Sequence, residues 1–206
     1  MEAQRQRFRG KYDLFTIYLI PGLTVLLASL GNWFDTNLSV LGNTGGRRGL
    51  LLIWGWITGW YYCRYTLYLF RLGRYRGTAG KRLVAAAGVF IMSAVTIPYL
   101  PEEEPAEAAL HVLLAFFSPI LLAAALVIFL RFLSVKNRRH FRAAWNAMWG
   151  IAAAALLLLL AAGFITSFLE LFLVVGLCGF LRHMERLLQR EAQPLPGGYL
   201  WNVPGN

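Results

Sequence analysis

The chain has 206 residues, of which 58% are hydrophobic and 15% charged, and its 20 Lys and Arg against 10 Asp and Glu give a formal charge of +10. The cations lie in short gaps between apolar runs and form no single patch, so the charge argues against a nucleic-acid-binding protein and for attraction to anionic lipid. Two cysteines, Cys63 and Cys178, fall inside apolar runs where no oxidising compartment reaches them, and they read as small buried apolar residues.

The basic start (Arg5, Arg7, Arg9, Lys11) leads into a first apolar run, residues 12–31. Five more follow at about 50–70, 83–99, 108–130, 141–162 and 164–181. At about 1.5 Å per residue, roughly 17 to 25 apolar residues cross a ~30 Å hydrocarbon core, and each run has that length. Lipid requires every backbone N–H and C=O to be satisfied within its own segment, so the runs read as helices. The expected fold is therefore all-α: a polytopic membrane protein with six transmembrane helices. The first run is too long for a signal-peptide core and ends without a small-x-small cleavage pattern, so it is expected to be retained. In the second run, Gly55 and Gly59 form a Gly-x-x-x-Gly pair, and Arg64 lies near the inner third beside Tyr61, Tyr62 and Tyr65, placed to snorkel. Trp33, Trp54, Trp56 and Trp60 fall near one boundary and Trp145 and Trp149 near the other, as an aromatic belt would. In the fifth run, Ala143, Ala147, Gly150, Ala154, Leu157 and Ala161 draw a small-residue seam suited to close helix packing, within the chain or against a second copy or membrane partner. The sixth run is expected to continue as a cytoplasmic helix to residue 192, ahead of a flexible cytoplasmic tail at 193–206 with Pro194, Pro196, Gly197 and Gly198.

Lys and Arg number four before the first run, five in the second gap, five in the fourth and three after the sixth. Only Arg47 and Arg48 occupy the first gap, and the third and fifth gaps have none. The positive-inside rule then places both termini in the cytoplasm, predicts a multi-pass protein of the plasma membrane, and turns the acidic loop with Glu102, Glu103, Glu104 and Glu107 outward.

Polar residues within the runs are the functional candidates, because a charge at the bilayer centre costs at least ~2.5 to 3.5 kcal/mol on insertion scales. Glu170 lies about six residues into the last run, His111 about one turn into the fourth, and Asp35 just beyond the first. With Asn37 and Ser39, they compose a candidate outward-facing pocket, and Ser93, Thr96, Thr166 and Ser167 lie at similar depth. Glu170 bonded to a neighbouring helix is the alternative reading of the same residue. No metal is expected: His140 and His183 belong to the opposite side from His111, and no H-E-x-x-H pattern occurs. No cofactor fingerprint or nucleophile elbow is present, so no cofactor is expected. Asn37-Leu38-Ser39 is a glycosylation sequon too close to the membrane for use.

Six runs with both ends inside, the loop Asn-Leu-Ser-Val-Leu-Gly-Asn (37–43) and His-x-x-x-Ala-Phe-Phe (111–117) resemble the broad DRAM and Frag-type superfamily of six-span proteins. Val40 stands where the resemblance leads one to expect an acidic residue after the loop serine. The resemblance implies a six-helix membrane bundle, eukaryotic relatives tied to lysosomal or lipid-anchor processes, and attention to Ser39, Gly42 and His111.

Three functions stay open. The first is a membrane-resident binding or accessory protein that takes a lipid head group or small polar ligand at the outer pocket. The second is a small secondary transporter, for which Pro21 and Pro119 interrupt the first run of each half although midplane polar residues are few. The third is a lipid-modifying enzyme.

Overall fold

The computed structural model describes residues 10–192, and among them there is helix but no strand. Arg5, Arg7, Arg9 and the tail 193–206 lie outside the described residues. A π-helical stretch, Phe15–Leu19, runs into α1, Ile20–Ala28. Then follow the short α2, Leu38–Asn43, and the long α3, Arg48–Leu72, α4, Thr78–Thr96, α5, Pro105–Ala162, and α6, Ser167–Ala192. Three of these, α4, α5 and α6, are long and apolar enough to cross a membrane.

α5 is two helices joined at a break. Asn137 has φ −151° and ψ 82°, outside helical geometry, and its Oδ1 accepts the His140 N–H at 3.1 Å, as an N-cap residue does. Trp145 Nε1 donates to Ser134 Oγ at 2.7 Å. Eleven residues of straight helix would separate those positions by ~16 Å along the axis, so the chain folds back there. The gap expected around residues 131–140 is therefore helix almost throughout.

Cross-helix pairs fix the directions of the remaining helices. α1 runs against α3, with Thr16 Oγ1 to the Tyr61 hydroxyl at 2.8 Å and Trp54 Nε1 to Thr24 Oγ1 at 2.8 Å. α3 runs against α4: a Cβ on Gly55 would meet Val95, and one on Gly59 would meet Ile91. α4 runs against the first arm of α5, where Ser118 Oγ donates to the Ala87 carbonyl. The second arm runs against α6, with His140 beside Leu187 and Ile151 beside Gly176, both pairs centred on the Gly163–Phe164 turn. Gly163 takes φ +77°, a left-handed C-cap that glycine adopts without cost. α6 parallels α3, since Tyr62 donates to the Val174 carbonyl and Tyr65 to Glu185. Successive helical runs thus alternate in direction, and Gly10 and Ala192 come to the same end of the molecule. That end carries Arg74, Arg76, Lys81, Arg82, Arg138, Arg139 and Arg142, all exposed; the opposite end carries Glu102, Glu103 and Glu104.

Two packing expectations need revision. Gly55 is buried against α4 as the Gly-x-x-x-Gly pair suggests, but the seam on the second arm of α5 is turned outward: Ala143, Gly150, Leu157 and Ala161 are exposed, while Phe141, Ala144 and Met148 face the core. Trp54 is buried rather than part of a belt, because its indole N–H has a partner in Thr24, whereas Trp56 and Trp60 are exposed. Cys178 is buried, Cys63 is half-buried, and both are free thiols.

Candidate functional site

The loop between α1 and α3 is held at the acidic end by a reciprocal capping arrangement. A helix N-terminus has four N–H groups without intrahelical partners. In α6, the Ser167 and Phe168 N–H groups donate to the carbonyls of Thr36 (2.7 Å) and Trp33 (2.9 Å), and the Leu169 N–H to Thr166 Oγ1 at 3.2 Å. The favour is returned to α2: Glu170 Oε2 accepts the Leu38 N–H at 2.7 Å, and Asn37 Oδ1 accepts the Val40 N–H at 2.9 Å. Glu170 therefore caps a neighbouring helix. A carboxylate suits that place, as it accepts strongly from N–H groups at the positive end of a helix dipole.

His111 holds α2 from a different element. Only 2% exposed, its ring has Nδ1 at 3.0 Å from the Ile97 carbonyl and Nε2 at 2.8 Å from Ser39 Oγ. A carbonyl only accepts, so Nδ1 carries the hydrogen, and in the neutral ring Nε2 accepts from the Ser39 hydroxyl. The Tyr99 ring packs on the imidazole at 5.5 Å between centroids. His111 thus bridges α2 on one side to the Ile97–Tyr99 segment on the other.

The five sequence candidates divide accordingly. His111 with Ser39, and Glu170 with Asn37, converge on α2 by separate bonds, and His111 and Glu170 are not hydrogen-bonded to one another. Asp35 is exposed and accepts from Asn32 Nδ2 at 2.5 Å, away from both. Among the described residues no three His, Cys, Asp or Glu side chains are grouped so as to hold a metal ion.

Between the two segments bridged by His111 lies an open groove of about 250 Å³, with Val40, Asn43 and Thr44 of the α2 end on one wall and Tyr99, Glu102 and Glu103 on the other. Its rim is acidic. The hydrogen bond that a protonated Glu104 can donate to Glu107, reinforced by that residue's charge, raises the nearby Glu104 carboxyl above its ordinary value. The two cations at this end are already engaged: Arg48 Nη2 donates to the Thr96 carbonyl at 2.6 Å, and Arg47 Nη1 to the Leu30 carbonyl at 3.3 Å. Each thereby satisfies a carbonyl at or just past a helix C-terminus.

Sequence reasoning missed a second polar set inside the bundle. Trp54, Thr58, Tyr61 and Tyr65 recur at spacings of four, three and four on one buried face of α3. That period was the available signal, although the tyrosines read first as neighbours of Arg64, which is exposed. Tyr62 reaches the Val174 carbonyl, and Tyr65 donates to Glu185 Oε2 at 2.5 Å. Glu185 is 1% exposed and also accepts the Lys11 N–H (3.2 Å) and Gln189 Nε2 (3.1 Å). Beside it, Arg182 forms a bidentate pair with Asp13 at 2.9 and 3.1 Å. The hydroxyls of Thr58 and Thr66 are buried without a hydrogen-bond partner among the described residues.

Comparison with known proteins adds no family, since no protein-family profile, no curated protein and no solved structure matches this chain.

Proposed function

We propose that the chain is a six-span membrane protein with both ends in the cytoplasm, which binds the ammonium head of a lipid or a small organic cation at its outer end. The observation that carries this reading is the groove whose two walls are joined through His111, with Tyr99 offering an aromatic face and Glu102 and Glu103 offering charge. An aromatic ring beside carboxylates is the chemistry that recognises ammonium groups. In this reading His111 and Glu170 are positioning residues: they fix α2 and so the shape of the groove. The alternation of helix directions and the crowding of cations at one end support the topology, with the second arm of α5 as the fifth crossing. The resemblance to the DRAM and Frag-type superfamily belongs to the same proposal, carried by Ser39 and His111, which meet in the fold.

Binding of phosphatidylcholine and phosphatidylglycerol to the detergent-purified chain tests it. Glu102→Gln/Glu103→Gln should weaken phosphatidylcholine retention severalfold without lowering thermal stability. Unchanged retention would remove the groove as a ligand site.

The buried column on α3 supports a second reading, a proton-coupled transporter. A buried carboxylate in line with buried hydroxyls inside a helical bundle is a common marker of an ion or solute path. Glu185→Gln in sealed proteoliposomes distinguishes them: loss of proton-driven solute uptake favours transport, and no uptake by the parent protein argues against it.

A further inference from the structure

The outer end has its cations engaged, whereas the basic end has cations to spare. Among the described residues the one ion pair is Asp13 with Arg182. Arg186 and Arg190 are exposed on the last turns of α6 with no carboxylate in reach among the described residues. Both crowd His183, which burial and then the charges of Arg190 and Arg186 hold below the ordinary imidazole value. Gly176, Gly179, His183, Arg186 and Arg190 follow at spacings of three, four, three and four, so they share one face of α6.

That face borders the second arm of α5. Ile151 against Gly176 and His140 against Leu187 set the antiparallel contact between the two helices. The core side of the contact is taken by Phe141, Ala144 and Met148 on the arm and by Leu181, Met184 and Leu188 on α6. On the other side of the contact Ala143, Gly150 and Gly179 are exposed, with Ala147, Ala154 and Gly176 half-buried beside them. A Cβ on Gly150 or Gly179 would meet nothing within 4 Å. The antiparallel register sets Gly150 nearly level with Gly179, so side-chain cover is missing there and leaves a furrow that leads along α6 toward the two arginines. From Gly176 to Arg186 it extends ~15 Å at 1.5 Å per residue, which carries it from the inner part of the sixth run to the helix beyond it.

We propose that this furrow holds an anionic phospholipid of the cytoplasmic leaflet, with its phosphate on Arg186 and Arg190 and an acyl chain along Ala147, Gly150 and Gly179. Charge complementarity selects the phosphate, and an apolar channel continuous with the arginines selects an amphiphile over a soluble acidic peptide. The inference rests on the membrane placement proposed above but not on the outer groove.

Native mass spectrometry of the full chain from detergent, incubated with phosphatidylglycerol or phosphatidylcholine, tests the proposal. Phosphatidylglycerol should be retained preferentially at this site. Arg186→Gln/Arg190→Gln should reduce its retention on the order of tenfold, and Gly179→Leu should reduce it with the charge intact. Arg74→Gln/Arg76→Gln, on the turn between α3 and α4, should leave it unchanged. Equal losses in the two double variants would show diffuse charge only and overturn the site. So would a dimer abolished by Gly150→Leu while phosphatidylglycerol retention persists, because a second copy would then be the furrow's occupant. A chain monodisperse without detergent would instead overturn the membrane placement, which separates the two failures.

Discussion

At position 111 an imidazole does what no aliphatic side chain can, satisfying a backbone carbonyl and a hydroxyl together in a nearly dry site. His111→Ala leaves the Ile97 carbonyl and Ser39 hydroxyl without that partner, so it should cost about 1 to 3 kcal/mol, read as thermal stability in detergent. Asn37→Ala, which removes the N-cap of α2, should cost about 1 kcal/mol by the same measurement. His183 supplies a pH signature. Its folded value is depressed, so the native state resists protonation, and the stability it contributes is present above the ordinary imidazole value near 6.5 and is lost as pH falls from there through the folded value. Melting curves between pH 7.5 and 5.5 should show that decline, and His183→Gln should flatten it. Glu170 and His111 were legible in the sequence because a membrane makes ionisable residues expensive. Their partners were not, since a backbone N–H or carbonyl leaves no mark in composition. Glu185 was missed for the opposite reason: a carboxylate amid Arg182, Arg186 and Arg190 reads as one member of a solvated face until Tyr65 and Lys11 are seen to cover it.

Among the elements, the two small-residue patterns look equivalent in sequence and behave differently in the fold. A Cβ on Gly55 would stand 2.3 Å from Val95 Cγ1, on a β-branched side chain with little room to turn, whereas Gly150 faces open space. Gly55→Leu should therefore destabilise the chain by about 1 to 3 kcal/mol or more, while Gly150→Leu should change its melting temperature little. Spacing alone identifies a helix face but does not say which neighbour it meets. The reversal between the fourth and fifth runs was legible as the gap at 131–140, but its tightness was not: helix fills almost the whole gap and the turn is confined to Asn137, where Ser134 pairs with Trp145 across it. Asn137→Ala should cost about 1 kcal/mol through the lost cap.

For the whole molecule, apolar run lengths and the spacing of Lys and Arg were enough to give an all-α chain, because lipid leaves the backbone few alternatives. The α2 insertion in the first loop was beyond that reasoning: six residues are too few for a periodic signal, and the helix persists through caps donated by α6 and through His111. The proposed topology is the claim on which both binding sites depend. Its most direct measurement is cysteine accessibility in sealed cells, with Cys63 and Cys178 replaced and single cysteines placed at Glu103 and at Val135, which is 88% exposed near the break in α5. A membrane-impermeant maleimide should label Glu103→Cys on intact cells and reach Val135→Cys only after permeabilisation. Labelling of both positions from the same side would contradict the account.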